Sequence, residues 1–121
     1  MDATRIAERY LDAWNQADAE ARRGTIAEIW QEDARYVDPL AEVTGREQLS
    51  DLIGAVQAQL PGHVFRLLDG VDAHHDVMRF GWELVPAAGG EPVAVGFDVA
   101  VTGEGGRIAG VAGFIDKAPG A

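Results

Sequence analysis

Hydrophobic residues follow a helical period before residue 61 and mostly a two-residue period after it. Segment 3–17 is predicted to be a helix, because its apolar residues recur every three to four positions and share one face. A second helix is predicted over 21–30. The third helix has the clearest pattern, which is carried by Leu49, Leu52, Ile53, Val56 and Leu60. Pro61 and Gly62 are expected to end it.

The second half of the chain is predicted to form a sheet. Segments 63–68, 77–85, 93–101 and 107–116 are predicted strands, and the glycine-rich stretches 87–90 and 103–106 are typical of turns. One more short strand, 34–39, is predicted between the second and third helices and contains a proline at its end. Helices followed by consecutive strands favour a single α+β domain over residues 1–121, with a mostly antiparallel sheet.

The net charge narrows the range of partners. Twenty acidic residues against ten basic ones give the chain a formal charge of −10. No cluster of lysine and arginine interrupts this acidity, and such a cluster is what neutralises phosphate groups. We therefore expect no nucleic-acid partner and no binding to an anionic membrane surface.

Residue usage excludes further kinds of site. The chain has no cysteine, which excludes disulfides and thiolate chemistry. His63, His74 and His75 lack the spacing of metal ligands, and no glycine-rich phosphate loop precedes a helix, so we predict neither a metal nor a cofactor. The chain start lacks a signal-peptide pattern and no apolar run is long enough for a membrane span, which predicts a cytoplasmic location. Residues 118–121 are expected to be a loose end.

The predicted strand at 93–101 has one face of unusually small residues. Its valines and Phe97 point one way, and the other face consists of Ala94, Gly96, Asp98 and Ala100. Side chains this small leave space instead of filling a core. If this face points inward, Asp98 projects into a cavity; if it points outward, Asp98 is a solvated charge.

Three residues are candidates for acid–base chemistry, and each also has an ordinary structural explanation. Tyr10 lies on the apolar stripe of the first helix, where its hydroxyl either donates to a developing oxyanion or bonds to a backbone carbonyl. Asp38, which precedes Pro39, is either a general base at the end of a strand or the start of a turn. Asp98 is either buried, protonated and able to donate a hydrogen bond, or solvated.

Large aromatic residues are expected to form the core or the wall of a pocket near these candidates. Phe80 and Trp82 share one face of the strand at 77–85, and Trp14 lies on the stripe of the first helix. With Gly96, these three are the predicted substrate-pocket residues. Ser50, the only serine, lies inside a predicted helix, so a serine nucleophile is not indicated.

Several segments, in this order, resemble the ketosteroid isomerases. They are residues 8–15, residues 34–39 with the Gly-Arg-Glu of 45–47 after them, and residues 97–99 ahead of 106–108. The likeness covers nearly the whole chain. Asp-Pro followed by a downstream Gly-Arg is also typical of the wider SnoaL-like, nuclear-transport-factor-2-like superfamily, so the chain is identified as resembling that group.

This resemblance implies a fold and a mechanism. The implied fold is an α+β cone of three N-terminal helices packed on a curved, mostly antiparallel sheet, and the implied assembly is a homodimer. By the same resemblance, Asp38 would move a proton next to the carbonyl of a small apolar molecule, while Tyr10 and a protonated Asp98 would hydrogen-bond the enolate oxygen. The isomerases support their oxyanion-hole tyrosine with a second tyrosine in the third helix, and that position is Ile53 here.

Two functions of different classes fit these residues. The first is an isomerase or cyclase that acts on an apolar carbonyl compound, and the second is a non-catalytic ligand-binding or dimeric scaffold protein in which the same acids are structural. Epoxide hydrolysis is less favoured, because the limonene-type relatives carry an arginine where this chain has Gly96. Catalysis requires Tyr10, Asp38 and Asp98 to converge on one apolar cavity.

Overall fold

The structure is a computed structural model that describes residues 1–118. Helices α1 (Ala3–Asn15) and α2 (Ala19–Ile29) are followed by strands β1 (Trp30–Val37) and β2 (Glu42–Thr44) and by helix α3 (Arg46–Gln59). The remaining strands are β3 (His63–Leu67), β4 (Asp72–His74), β5 (Val77–Pro86), β6 (Ala94–Thr102) and β7 (Ile108–Lys117). Of the predicted loose end, residues 119–121 lie outside the described part.

The strands form one curved, open sheet against which the three helices pack. The strand order is β2-β1-β7-β6-β5-β3, and β4 also pairs with β5. Every pair is antiparallel except β1 with β7, which run parallel. The predicted α+β class with a mostly antiparallel sheet and three packed helices is therefore confirmed.

Several predicted boundaries were wrong, for local reasons. Helix α1 ends two residues before the predicted limit of 17, because Gln16 is extended and Asp18 accepts a hydrogen bond from Ala21 N as the cap of α2. Trp30 is extended and begins β1 instead of ending α2. Strands β2 and β4, with three residues each, were too short to show a period.

The core lies between the helices and the concave face of the sheet. Helix α1 buries the predicted stripe, and Tyr10 from this stripe packs on Trp30 at 5.8 Å between ring centroids and edge-on against Phe80 at 5.1 Å. Such aromatic pairs add about 0.5–1.5 kcal/mol each beyond their buried area. The first helix is therefore held to the sheet through its tyrosine.

The small face of β6 points inward. Ala94, Gly96, Asp98 and Ala100 are all buried, and they alternate with residues that are half-buried or exposed. Gly96 lies opposite Trp82 in the neighbouring strand. The small side chains thus leave room beneath α1 and α3 for the larger aromatic residues of β5.

Two arginines fix the helices in place. Arg22 is buried, and within residues 1–118 no carboxylate pairs with it. It donates to the carbonyl of Gln16 at 2.9 Å and to Ser50 Oγ at 3.1 Å, which joins the α1–α2 turn to α3. Arg46 donates to the carbonyl of Trp30 at 2.6 Å. The arginine of the Gly-Arg pair therefore ties the start of α3 to the start of β1.

None of the helices within residues 1–118 is long and apolar enough to cross a membrane.

We predict that Gly96→Ala destabilises the protein while Gly24→Ala does not. A Cβ at Gly96 would lie 2.5 Å from Trp82 Cζ2 and would collide with the carbonyl oxygen of Phe114, so the expected loss is about 1–3 kcal/mol of unfolding free energy or more. A Cβ at Gly24, inside α2, meets no atom within 4 Å, and alanine there is expected to add about 0.5–1 kcal/mol. Urea unfolding of both variants measures this difference, and equal effects would contradict the packing described.

Candidate functional site

A cavity of about 150 Å³ opens between the helices and the concave face of the sheet. The residues that line it are mostly apolar or aromatic. They are Tyr10, Leu11, Trp14, Tyr36, Asp38, Leu40, Val56, Leu60, Phe65, Trp82, Leu84, Ala94, Asp98, Gly113, Phe114, Ile115 and Ala118. The three candidate acid–base residues, Tyr10, Asp38 and Asp98, all border this one cavity, as the catalytic hypothesis requires.

Asp98 occupies the middle of β6, between Phe80 of β5 and Gly113 of β7. Only 4% of its surface is exposed, and its Oδ1 accepts a hydrogen bond from Trp82 Nε1 at 3.2 Å. Gly113 makes this placement feasible, since a Cβ there would lie 2.8 Å from Asp98 Oδ1. Of the two orientations that the sequence left open, Asp98 therefore has the inward one.

Burial raises the pKa of Asp98 from its ordinary value of 3.8 to about 6. Interactions with Tyr10 and Trp82 oppose this rise, and the charge of Asp38 adds to it. The carboxyl group is thus predominantly protonated below about pH 6, where it has a proton to donate.

Asp38 forms the predicted turn and also borders the cavity. Its Oδ1 accepts from the backbone N–H groups of Leu40 and Ala41, both at 2.8 Å, which forms the turn after β1. Its Oδ2 accepts from the hydroxyl of Tyr36 at 2.6 Å, on the side of the cavity. The turn therefore holds the carboxylate in place instead of directing it away from the site.

Tyr36 belongs to the site and was not identified from the sequence. It lies on the buried face of β1 with Ala34, and Asp38 follows it at a spacing of two. Residues two apart lie on the same face of a strand, so the alternation Ala34, Tyr36, Asp38 was the sequence feature that could have placed Tyr36 beside Asp38. Burial raises the pKa of Tyr36, with the charges of Asp98 and Asp38 adding to the effect, so its hydroxyl remains a neutral donor.

Tyr10 supplies a buried hydroxyl beside Asp98. Burial, followed by the charge of Asp98, raises the pKa of Tyr10 well above its ordinary value. A hydrogen-bonding interaction with Asp98 adds to this rise, so the hydroxyl lies close to that carboxyl group, although within residues 1–118 no group meets full hydrogen-bond geometry with it. The indole N–H of Trp14 is likewise buried without a partner there. The Tyr10 hydroxyl can therefore donate a hydrogen bond to a further oxygen.

Gly113 is the point on which the polar groups converge. A Cβ placed on it would lie 2.8 Å from Asp98 Oδ1, 3.3 Å from Asp38 Cβ and 3.6 Å from the hydroxyl oxygen of Tyr36. Two carboxyl groups in different environments thus flank one position in an otherwise apolar cavity. Such a pair is the arrangement that separates an acid from a base.

Of the four predicted pocket residues, two line the cavity and two lie behind the lining. Trp14 and Trp82 line the cavity, whereas Phe80 packs behind the ring of Tyr10 and Gly96 lies beneath the indole of Trp82. Phe80 and Gly96 therefore support the lining residues. Ile53 is fully buried in α3 and brings no hydroxyl to the site.

No group of three or more histidine, aspartate or glutamate side chains that could hold a metal ion occurs in the described part of the chain.

The comparisons with known proteins point to one family. A family-wide sequence model, the SnoaL-like domain, matches residues 7–111. A solved structure from Agrobacterium tumefaciens, provisionally named an isomerase of the SnoaL-like family, is 39% identical, covers 94% of this chain and 97% of its own, and superimposes with a TM-score of 0.89. A search of curated proteins found no match.

Two more distant structures share the fold. One is a nuclear-transport-factor-2-like protein of unknown function from Mesorhizobium loti, 20% identical over 94% of this chain and 90% of its own, with a TM-score of 0.68. The other, from Sinorhizobium meliloti, is provisionally named a polyketide cyclase; it is 20% identical over 93% of this chain and 99% of its own, with a TM-score of 0.70. At this identity the likeness establishes the fold alone.

We predict that Asp98 makes the protein less stable as the pH rises from about 4 to about 7. The folded state binds the proton of Asp98 more tightly than the unfolded state, so stability is lost between the ordinary pKa of 3.8 and the raised value of about 6. The loss is on the order of 3 kcal/mol. Asp98→Asn removes this ionisation while keeping an acceptor for Trp82. Urea unfolding at both pH values should therefore show that the free energy of unfolding of the variant increases relative to that of the wild type as the pH rises. Identical pH dependences of the two proteins would contradict the raised pKa.

Proposed function

The chain belongs to the SnoaL-like domain family, and from that membership and the site geometry we propose that it is an acid–base enzyme, an isomerase or cyclase. Its substrate in this proposal is a small apolar carbonyl compound. The observation that carries the proposal is the pair of carboxyl groups, Asp38 and Asp98, that flank Gly113 at one apolar cavity.

In the proposed reaction Asp38 is the base. Its carboxylate removes a proton from the carbon next to the substrate carbonyl, so that a C–H bond breaks and an O–H bond forms on Asp38. The electron pair left on carbon moves into a carbon–carbon double bond, and the carbonyl oxygen becomes an enolate oxygen. Asp38 then returns the proton to the same or another carbon. The turn through Leu40 N and Ala41 N keeps the carboxylate in one orientation for both transfers.

Tyr10 and Asp98 are the proposed donors to the enolate oxygen. The Tyr10 hydroxyl has no hydrogen-bond partner within residues 1–118, and the Asp98 carboxyl carries a proton below about pH 6. A negative enolate oxygen beside Asp98 would favour its protonated form further, because two like charges repel at this distance. The apolar lining strengthens both hydrogen bonds by lowering the local dielectric constant.

One solved structure supports the reaction class. It is 39% identical to this chain and is provisionally called an isomerase, whereas the provisionally named polyketide cyclase shares the fold alone. Proton abstraction next to a carbonyl is a first step that both kinds of reaction can share. Formation of the enolate is therefore the proposed step, and the substrate determines whether isomerisation or cyclisation follows it.

We predict that both Asp38→Asn and Tyr10→Phe lower the activity, and that loss of the base has the larger effect. The assay follows the absorbance of the conjugated enone formed from β,γ-unsaturated ketones that carry from one to four rings. Loss of the base is expected to lower kcat by about 10²–10⁴-fold. Loss of one oxyanion donor is expected to lower it by about 10²–10³-fold.

The matched control is Asp33→Asn, which removes an exposed carboxylate from the same strand. It should leave the rate unchanged. If the wild type forms no conjugated enone from any of these ketones, or if Asp38→Asn and Asp33→Asn are equally active, the proposed base is wrong and the pocket is better described as a binding site.

We also propose a homodimer formed through the outer face of the sheet. Phe97 of β6 and Phe114 of β7 stack there with ring centroids 5.0 Å apart, and 48% of Phe114 is exposed. Val101 of β6 is exposed on the same face. Exposed apolar side chains grouped in this way are typical of interaction surfaces.

We predict that the wild type is a dimer in solution and that Val101→Asp, on the same outer face but away from the cavity, shifts it to a monomer. A carboxylate in the centre of an apolar interface loses hydration without gaining a partner. Light scattering coupled to size-exclusion chromatography measures the mass directly. The control is Leu40→Asp, which places the same charge at an exposed leucine outside this face. A monomeric wild type would contradict the proposal.

A further inference from the structure

The cavity is small for the ring systems that its chemistry could accept. Its volume is about 150 Å³. An apolar cavity of about this volume in another protein holds one benzene ring. A skeleton of four fused rings is several times larger, so most of it would have to remain outside the cavity.

The polar atoms of the cavity are gathered at one position. Asp38, Asp98 and the Tyr36 hydroxyl all lie within a few ångströms of the place where Gly113 lacks a side chain. The rest of the lining consists of aromatic and aliphatic side chains. This distribution fits a ligand with one polar functional group and an apolar remainder, because a second polar group would lose its hydration without compensation.

Aromatic side chains give the apolar part its shape. Phe65 packs edge-on between Trp14 and Trp82, with ring centroids 5.5 Å and 5.4 Å away. Walls made of ring faces and edges favour a flat ring over an open alkyl chain, since they offer the stacked and edge-to-face contacts that rings prefer.

We propose that the site takes a monocyclic ketone, enclosed as a whole, with its carbonyl at the polar end and its ring among Trp14, Phe65 and Trp82. This inference deepens the proposed function and rests on it for the orientation of the carbonyl. Leu40 lines the cavity although 85% of it is exposed, which places the entrance beside the Asp38 turn. A ring that enters there meets the base first.

The test is a nuclear magnetic resonance titration of the ¹⁵N-labelled protein with cyclohexenone and, separately, with a four-ring ketosteroid. The chain has three tryptophans, so three indole N–H signals report on binding. Trp14 and Trp82 line the cavity, while Trp30 is buried in the core and serves as the internal reference. Cyclohexenone should shift the signals of Trp14 and Trp82 more than that of Trp30.

A pair of variants separates the cavity from other surfaces. Val56→Trp places an indole in the cavity and should abolish the shifts caused by cyclohexenone. Val64→Trp adds the same side chain next to Phe65 but on the opposite face of β3. This variant should show the same cyclohexenone shifts as the wild type. A Val56→Trp protein that still binds cyclohexenone would overturn the proposal.

The affinities distinguish this inference from the proposed function. We expect cyclohexenone to bind at least about tenfold more tightly than the ketosteroid. Tighter binding of the ketosteroid would overturn the monocyclic substrate while leaving the acid–base proposal intact. If monocyclic ketones bind but no enone forms from any unsaturated ketone, the monocyclic ligand is supported and the proposed acid–base reaction is wrong.

Discussion

The buried carboxyl group of Asp98 is the constraint around which the structure is arranged. Moving a carboxylate out of water costs several kcal/mol unless it is paired or neutralised, and no basic side chain hydrogen-bonds to Asp98 within residues 1–118. The surroundings accordingly provide donors and space. Trp82 donates its indole N–H, Tyr10 lies beside the group, and Gly113 omits the Cβ that would collide with it. The result is an acid whose pKa lies close to neutral pH.

The cavity is a consequence of the same arrangement. Gly96 lacks the side chain that would displace the indole of Trp82, and Trp82 in turn contacts Asp98 and the cavity. Asp38 lies across Gly113 in a contrasting environment, where two backbone N–H groups and the Tyr36 hydroxyl donate to it. Two carboxyl groups of one residue type thus acquire different surroundings, and acid–base chemistry on one substrate depends on such a difference.

The sequence predicted the parts of this site that a local period reveals. The apolar stripe of α1 predicted that Tyr10 points inward. The alternation along β6 predicted that Asp98 and the valines lie on opposite faces of the strand, but it did not show which face points into the core. The pairing of β1 with β7 could not be predicted, because it joins segments far apart in the chain. Tyr36 was missed for a related reason: the significance of its hydroxyl depends on the turn that orients Asp38. Arg22 was also missed, since its partners, Gln16 and Ser50, come together only when the helices pack.

The central claim is that Asp38 removes a proton from the carbon next to a carbonyl held in this cavity. Incubation of a monocyclic ketone with the protein in heavy water, followed by mass spectrometry of the ketone, measures that step without requiring isomerisation. Because Asp38 lies beside the entrance, the proton that it holds can exchange with deuterium of the solvent before it is returned to the ketone. Deuterium should therefore enter next to the carbonyl faster than in buffer alone, and at the background rate with Asp38→Asn. Exchange at the background rate with the wild type, for ketones shown to bind, would contradict the account.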